Sequence, residues 1–568
     1  MLDPGSIIAL TQITYEGAKR AVDLVLTAIH FPKECEESFV QLKLEQFRLQ
    51  CWGRSARLEQ GRLIEALHPI FPEIRNALDC ISALFQDLNK LQAKFGIVST
   101  SVEDVGQRQK ELAYKWNEEL HKQGLALSGE QIEDGAPSLI SKEQKAFFPA
   151  GTFTVNLPAR LRWALGNKSK FRNCVAELER YTNKLNQLLP ERQSLQYKQD
   201  WTRVNIIIVG QADDEKTVSL LRNALEGSPA IESSLRGLVD RKSVAAAPNT
   251  TNFLPGNPQL DMSAFAIRPG TLDKEKFITT SKSTGKLAVF EKKSWEDERS
   301  MANRSKLQMR LSRLVAMLRP GRSDCILKAI GFAEDEVTKC WWIVYEVPSF
   351  ISVNPNLRVM TLQERLGRQS FHLAPLEVRT KLALSLASAY SELFSSGWVH
   401  KAISSHSIVY FGSYTDLIRP SVVGFEFSRQ DTEESNIDAA KTPARVERSV
   451  YRHPDYIGSE ADRYVTQYDI YSFGLVLIEI AFWQPLRDVC PYAKGNIFGK
   501  EEAKNVQKWA AHVIDTQFAF RVGTAYANVV SWCLKIGARF SKEQEDWHPA
   551  LAFNDHVVVP LSQMYNNS

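Results

Sequence analysis

The sequence lacks the signals of several common protein classes. Its eight cysteines are scattered, with no C-x-x-C pair and no clustering with histidine, so neither a metal site nor a disulfide framework is predicted. No run reaches the roughly 18 uncharged apolar residues of a constitutive membrane helix. Asp3 and Pro4 stand where a signal peptide would carry basic residues, so we expect a cytoplasmic protein with reduced thiols. A net charge of +4 gives no indication of nucleic-acid binding.

Phosphate-binding loops are missing as well. No G-x-G-x-x-G occurs between residues 250 and 290, where the glycines are Gly256, Gly270 and Gly285. The Val-Gly pair at 209–210 is followed by a predicted helix but has no G-K-[ST]. Neither region is therefore expected to cradle a phosphate.

What is present is an ordinary globular composition over a length typical of several domains. Of the 568 residues, 44% are hydrophobic and 24% are charged. The pattern divides the chain into a helical region 1–195, a connection 196–264 with one short predicted strand and one helix, a mixed region 265–558 and a tail 559–568. The fold class predicted is an all-α helical bundle followed by an α+β domain.

The first 195 residues have helical periodicity throughout. Three apolar stripes recur at helical spacing, which indicates a bundle. Their members are Val40, Leu44, Phe47 and Cys51; Ile74, Leu78, Ile81, Phe85, Leu88 and Phe95; and Phe171, Val175, Leu178, Leu185 and Leu189.

Residues 399–426 have the outline of a protein-kinase catalytic loop and metal loop without the side chains that do the chemistry. A kinase uses H-R-D-x-x-x-x-N and D-F-G, whose Asp accepts a proton and whose Asn and second Asp hold magnesium. Ala402, Ser407 and Gly424 occupy those three positions here. The segments contain His400, Lys401, Ala402, Ser407, Gly424, Phe425 and Glu426. No catalytic residue and no metal ligand is therefore predicted.

Further segments in the same order strengthen this resemblance to the protein kinase family. Pro454 and Asp455 lie in a His-Pro-Asp that stands for Ala-Pro-Glu. Asp469 opens an apolar segment similar to kinase helix F, in which such a carboxylate braces the catalytic loop. Glu346 and Val347 resemble a kinase hinge. The resemblance implies a bilobal, protein kinase-like fold for 265–558 that has lost its activity, a pseudokinase.

Nucleotide binding stays an open question in the sequence. Lys292 is the candidate for the ATP lysine, although Glu291 competes for the same slot. The next predicted helix, about 299–318, contains no glutamate to pair with a lysine, and only Glu296 and Glu298 precede it. ATP docking through its base remains compatible with this pattern, but no cofactor is required.

A second resemblance rests on the helical region. The segment 41–58 contains an R-L-x-x-W-G core at Arg48, Leu49, Trp52 and Gly53, and 161–190 contains a further tryptophan-lysine-phenylalanine helix. Both are similar to the fungal HeLo domain of HET-S-type prion-inhibition and propagation proteins. The family implies a bundle that, when triggered, releases its N-terminal helix into a membrane and causes programmed cell death in heterokaryon incompatibility.

The N-terminal helix is amphipathic on its own sequence. Ile7, Ile8, Leu10 and Ile13 precede the first charge of the helix, and Glu16, Lys19, Arg20 and Asp23 share one stripe. Such a helix inserts into a membrane or docks in the bundle, and the pattern fits both.

A killer-type bundle before an inactive kinase resembles the mixed lineage kinase domain-like executioners of necroptosis. We therefore expect a cell-death protein with a protein partner or upstream receptor, lipid contact on activation, and a homo-oligomeric active form. One alternative is a non-toxic signalling scaffold. The other is an unconventional kinase that uses Glu426 as a metal ligand. Phosphorylation of Thr432, Ser435, Thr442 or Ser449, near Arg429, Arg445 and Arg448, is a further possibility in the sequence.

Overall fold

A computed structural model of the chain shows two compact units, residues 1–232 and 233–568. The described residues are 3–28, 36–95, 107–125, 157–226, 233–247, 258–268, 270–294, 301–319, 325–349, 351, 357–367, 374–411, 419–430, 446–457, 464–495, 498–536 and 548–566. Statements below refer to these residues.

Unit 1, residues 1–232, is helical, as the periodicity predicts. Its helices are α1 Pro4–Ala28, α2 Glu36–Ser55, α3 Phe71–Phe95, α4 Gln107–Lys122, α5 Leu157–Gln187, α6 Glu191–Gly210 and α7 Glu215–Glu226. The members of the three apolar stripes are buried wherever their side chains are described; Leu88 and Phe95 lie outside the described side chains. This confirms the helical architecture.

Helix α2 is the centre of unit 1, since it packs against α1, α4, α5, α6 and α7. Nearly all of its residues are buried, including polar side chains such as Glu45, Gln46 and Arg48. Buried polar groups need internal partners. Arg48 obtains them from Glu45 at 2.7 Å, from Tyr197 at 3.2 Å and from Asn183. The central helix is therefore held in register by polar contacts as well as by packing.

The predicted strand in the connection 196–264 is wrong. Residues 205–209 belong to α6, where Ile206, Ile207, Ile208 and Val209 are all buried. A short apolar run that is buried on every side has no periodicity to separate helix from strand. The boundary at 195 falls inside α6, because Tyr197 and Trp201 are part of the core of unit 1.

Unit 2, residues 233–568, combines a mixed sheet with helices, which is compatible with a kinase-like fold. It begins with α8 Ser233–Ala246, followed by β1 Gln259–Leu260, β2 Lys276–Thr280, β3 Leu287–Ser294, α9 Met301–Leu318, β4 Ala329–Asp335 and β5 Cys340–Glu346. The strands form one sheet in the order β1-β4-β5-β3-β2. Only β1 runs parallel to its neighbour, β4.

Two features at the start of unit 2 differ from the predicted start at 265. Helix α8 packs against α9, and Arg313 of α9 donates to the carbonyl oxygens of Val244, Ala245 and Ala247 at the end of α8. Strand β1 joins the sheet at residue 259. Both elements lie in the segment that the sequence marked as a connection. The sequence analysis missed them because a two-residue strand and a helix without strong periodicity carry little local signal.

The rest of unit 2 is mainly helical. Its elements are β6 Val359–Thr361, α10 Leu362–Gly367, α11 Leu376–Ser395, β7 Trp398–Val399, β8 Ile408–Phe411, β9 Ser421–Val422, β10 Arg429–Gln430, α12 Val446–Ser449, α13 Thr466–Phe482, α14 Leu486–Val489, α15 Lys500–Val513, α16 Ala519–Ile536, α17 Pro549–Phe553 and α18 Val559–Asn566. Helix α13 is buried along nearly its whole length and forms the core.

The predicted tail 559–568 is largely helix α18, which packs against α11 and α16. Leu561 is fully buried, and Lys381 of α11 lies 4.4 Å from the centre of the Tyr565 ring. The tail prediction failed because one buried leucine is enough to anchor two helical turns.

Candidate functional site

Helix α1 docks on unit 1 through one stripe. Thr11, Tyr15, Ala18, Val22 and Val25 are all buried at helical spacing, and α1 packs against α3 and α2. The position of Gly17 is also toward α3, because a Cβ built there would lie 3.7 Å from Ser82 Oγ. This stripe fixes which face of α1 the bundle covers.

Tyr15 and Gly53 form the tightest contact of this interface, which we call the Tyr15–Gly53 contact. A Cβ added to Gly53 would lie 2.2 Å from both Cζ and the hydroxyl oxygen of Tyr15. The phenol ring therefore occupies the space that any other residue at 53 would need. The buried Tyr15 hydroxyl has no hydrogen-bond partner among the described residues, so the contact holds by shape alone.

The R-L-x-x-W-G core of α2 connects this contact to the rest of unit 1. The Trp52 ring lies 6.1 Å from the Tyr15 ring, and its indole nitrogen donates to the Leu185 carbonyl of α5 at 3.0 Å. The motif thus places Gly53 and the Trp52 ring against α1, and the Trp52 indole nitrogen against α5. The sequence showed the motif but not its partner Tyr15, which lies 38 positions earlier in the chain.

The apolar start of α1 is not part of the buried stripe. Ile13 is 68% exposed, and Ile7, Ile8 and Leu10 are half-buried. Transfer of such an exposed aliphatic side chain from water into an apolar phase lowers the free energy. These four residues, the α1 apolar tip, are the ones that the sequence singles out.

The charged stripe of α1 is less solvated than its pattern predicts. Lys19 is buried, with only 5% of its surface exposed, whereas Arg20 is exposed. Asp23 accepts a hydrogen bond from Gln46 of α2. The amphipathic pattern therefore serves docking on its charged side as well as on its apolar side.

In unit 2 the catalytic-loop and metal-loop segments come together without the chemical groups of a phosphotransferase. Ser407 is buried and its hydroxyl donates to the Ser404 carbonyl at 2.8 Å. Gly424 has a φ of 88°, and a Cβ there would lie 2.9 Å from Ser407 Cβ. Ala402 carries only a methyl group. These three positions therefore carry neither the carboxylates nor the amide that a kinase uses there.

Asp469 at the start of α13 holds the catalytic-loop backbone. Its buried carboxylate accepts from His400 N at 2.6 Å, from Lys401 N at 2.9 Å and from the Tyr464 hydroxyl at 2.6 Å. Burial raises the pKa of Asp469 to about 6, against the opposing effect of these hydrogen bonds. Lys401 adopts a φ of 66°, a backbone conformation that costs free energy outside glycine. The brace therefore maintains a strained loop.

The histidine of this loop is part of the core. His400 is fully buried, burial lowers its pKa to about 4, and its ring lies 4.7 Å from the ring of Phe425. A hydrogen bond of 3.0 Å joins its Nε2 to the Val423 carbonyl. His400 and Phe425 thus link the two loop segments by packing.

Glu291, rather than Lys292, faces the loop segments. Both oxygens of Glu291 accept from Gly424 N, at 2.8 and 3.0 Å, whereas Lys292 lies near the Trp342 ring at 5.8 Å. Strand alternation puts neighbouring residues on opposite faces. Of the two residues that the sequence left as alternatives, the one that faces the loop segments is therefore the carboxylate.

The hinge segment offers few donors to a purine. The Val347 amide donates to the Leu287 carbonyl at 3.3 Å, and Pro348 has no amide hydrogen. The Glu346 carboxylate pairs with Lys286 at 3.3 Å. Glu346 and Val347, which the sequence marked as a hinge, thus both make contacts within unit 2.

The His-Pro-Asp segment packs on α13. His453 is buried with its ring stacked 4.8 Å from Tyr468, and burial lowers its pKa to about 4. Pro454 and Asp455 begin the short helical turn that follows, and the Asp455 amide donates to His453 Nδ1 at 3.2 Å. The segment is a structural junction.

Glu479, which the sequence analysis missed, organises the same region. Its buried Oε1 accepts from the Tyr451 hydroxyl at 2.7 Å, the Ser405 hydroxyl at 3.2 Å and the Leu486 amide at 2.7 Å. A lone glutamate within an apolar helix is the sequence signal that could have identified it.

A pH dependence follows from Glu479. Burial raises its pKa from 4.5 to about 7, so the folded chain binds this proton more tightly and stability falls as pH rises through that interval, by about 3 kcal/mol. Glu479→Gln removes the titration. At each pH we compare the urea midpoint of the variant with that of the wild type. We expect this difference to favour the variant more at pH 8 than at pH 4.5. The same difference at both pH values would contradict the pKa shift.

Several residues that the sequence singles out lie outside the described residues or are already engaged in other contacts. Thr432, Ser435, Thr442, Arg445, Glu296, Glu298 and the Glu426 side chain lie outside the described residues. Ser449 is buried. Arg448 pairs with Glu275 at 2.5 Å, and Arg429 donates to the Tyr464 carbonyl at 3.4 Å, so both arginines already have partners.

No helix within the described ranges combines the length and the apolar character that a membrane crossing requires.

Comparison with known proteins supports the assignment of the helical unit. A mouse (Mus musculus) protein, the mixed lineage kinase domain-like protein, is 30% identical over 159 residues, which is 28% of this chain. The similarity spans 31% of the mouse protein. The family model HeLo, prion-inhibition and propagation, matches residues 6–221, from α1 into α7. The N-terminal helical unit of this chain is thus similar to a HeLo domain over residues 6–221.

Proposed function

We propose that this protein is a regulated cell-death effector whose HeLo domain attacks membranes through α1, under the control of a catalytically inactive kinase-like unit 2. The support comes from the HeLo match, from similarity to a protein named for its kinase-like domain, and from the geometry of α1. Partners, lipid contact and homo-oligomer formation belong to the same proposal.

The observation that carries it is the division of α1 into two parts. Tyr15, Ala18 and Val22 hold the helix on the bundle, while Ile13 is 68% exposed and Ile7, Ile8 and Leu10 are half-buried. Together these four residues give the docked helix an apolar surface for a first contact with lipid.

Dye release from anionic-lipid vesicles tests the proposal, with residues 1–232 compared with the full chain. A fragment that ends at 195 would remove Tyr197 and Trp201 from the core, so the longer fragment is the one to use. We expect the fragment to release dye and the full chain to stay quiet. A folded fragment that never releases dye would favour the scaffold alternative.

Substitution within the α1 apolar tip gives the sharper result. Leu10→Glu with Ile13→Glu removes two aliphatic side chains from lipid contact, and we expect membrane affinity of the fragment 1–232 to fall roughly a hundredfold or more, at about 1.5–3 kcal/mol per side chain. Folding should survive because neither side chain belongs to the buried core: Ile13 is exposed and Leu10 is half-buried. Tyr114→Glu, which alters a 51% exposed residue of α4 in the same fragment, is the matched control. Unchanged lipid binding by the double variant would contradict a role for the α1 apolar tip.

Loss of phosphotransfer is part of this proposal. Ala402, Ser407 and Gly424 supply no base and no metal ligand, and the Glu291 carboxylate would repel a nucleotide phosphate. We expect no transfer of labelled phosphate by the purified protein with Mg²⁺ or Mn²⁺. Transfer that is lost in Glu426→Gln would instead support the unconventional-kinase alternative.

A further inference from the structure

The most unusual group in unit 2 is the carboxylate of Glu291 in the cleft between the sheet and the loop segments. Only 1% of the side chain is exposed. Three groups from three different segments converge on it. They are the Lys276 ammonium of β2 at 3.3 Å, the Tyr345 hydroxyl of β5 at 2.7 Å and the Gly424 amide at 2.8 and 3.0 Å.

These three groups make up an anion-binding site. An ammonium, a hydroxyl and a backbone amide are the donors with which proteins bind carboxylate and phosphate oxygens. Lys276 is only 12% exposed on its side chain, so it needs a negative partner in the folded state. The chain supplies that partner itself.

The contact also determines the position of the metal loop. Gly424 immediately precedes Phe425, whose ring packs against His400. Because the Glu291 carboxylate holds the Gly424 amide, β3 is joined directly to this pair of rings. Loss of the carboxylate would remove this link and leave the Gly424 amide without its acceptor.

We propose that Glu291 is a resident anion: it fills an anion site formed by Lys276, Tyr345 and Gly424, locks the metal loop against the sheet, and excludes nucleotide phosphates from the cleft. Unit 2 thereby keeps one conformation without any bound ligand. This inference does not depend on the membrane role proposed for unit 1.

Chemical rescue tests the proposal on the full-length protein. Glu291→Ala retains Cβ and removes the equivalent of an acetate ion. Hydrogen exchange of a peptide covering residues 420–427 reports the Gly424 amide. We expect exchange there to accelerate about tenfold or more in Glu291→Ala, from the loss of its acceptor. Sodium acetate should restore the protection, whereas sodium chloride at the same ionic strength should not.

Unchanged exchange in Glu291→Ala, or equal rescue by chloride, would overturn the inference. ATP with Mg²⁺ should leave exchange of 420–427 unchanged in the wild-type protein, and protection by ATP there would show that Glu291 does not exclude phosphates. Glu346→Ala, which removes an exposed carboxylate from the same sheet, should leave the Gly424 amide protected.

A second variant covers the case in which Glu291→Ala does not fold. Glu291→Gln keeps an oxygen for the Gly424 amide and fills the site, but it removes the charge that faces Lys276. We expect a smaller acceleration of exchange and no response to acetate. An acetate response in Glu291→Gln would contradict the site as described, because the space is occupied.

Discussion

Gly53→Ala is expected to undock α1 from the rest of unit 1. The added methyl group would lie 2.2 Å from the Tyr15 ring, so the ring must leave its position. Overpacking of this kind costs about 1–3 kcal/mol or more, and it falls on the contact between α1 and α2 rather than on the whole bundle. Under the proposed function, the variant should also release vesicle contents without a trigger.

A double-mutant cycle isolates this contact. Tyr15→Ala alone removes a fully buried ring and should cost about 3–5 kcal/mol. In the Tyr15→Ala and Gly53→Ala double variant the clash no longer exists, so the two costs should not add. Tyr15→Phe is the matched control, since the lost hydroxyl has no partner in the described part of the chain, and it should dock like wild type.

Hydrogen exchange of residues 11–26 and vesicle dye release are the two measurements. Gly53→Ala should raise both, and Tyr15→Phe should raise neither. Additive costs in the cycle, or a Gly53→Ala variant with protected α1 amides, would show that the Tyr15–Gly53 contact does not control docking.

Asp469→Ala is expected to be the most damaging single change in unit 2. It leaves the buried amides of His400 and Lys401 and the Tyr464 hydroxyl without an acceptor. Each orphaned donor costs about 1–3 kcal/mol, which brings the total near the whole stability of a domain. Unit 2 should lose its cooperative unfolding transition, and dye release by the full chain should rise if unit 2 restrains the HeLo domain.

Asp469→Asn separates loss of charge from loss of acceptors. One oxygen remains to accept a backbone amide, so we expect an intermediate loss of stability in urea unfolding followed by intrinsic fluorescence. Dye release should follow the order of the stability losses. An unstable Asp469→Ala variant that leaves vesicles intact would argue against restraint by unit 2 while leaving the brace itself supported.

The helical unit was largely predictable from local pattern, because its apolar stripes are long and α-helical periodicity is a local property. The stripe from Ile74 to Phe85 is buried as predicted. The strand predicted in the connection 196–264 failed for the opposite reason. Four consecutive buried apolar residues fit either structure, and only their packing within unit 1 decides between them.

The candidate sites divide in the same way. The sequence alone shows that Ala402, Ser407 and Gly424 lack the carboxylates and the amide that a kinase uses for phosphotransfer, since residue identity is read without knowledge of the fold. It also marks Ile7, Ile8, Leu10 and Ile13 as an apolar group. The exposure of Ile13 depends on which face of α1 the bundle covers, and that follows from Tyr15 meeting Gly53.

Residue identities and local periodicity thus determined the helical unit, the residue types Ala402, Ser407 and Gly424 in the loop segments, and the apolar start of α1. Only the tertiary structure decided that Glu291 rather than Lys292 faces Gly424, that Tyr15 fills the space beside Gly53, and that Glu479 collects three donors. The physical reason is distance along the chain. All but one of these contacts join residues between 28 and 133 positions apart, the exception being Glu479 with Leu486 at 7 positions, and their energies depend on a geometry that no local pattern encodes.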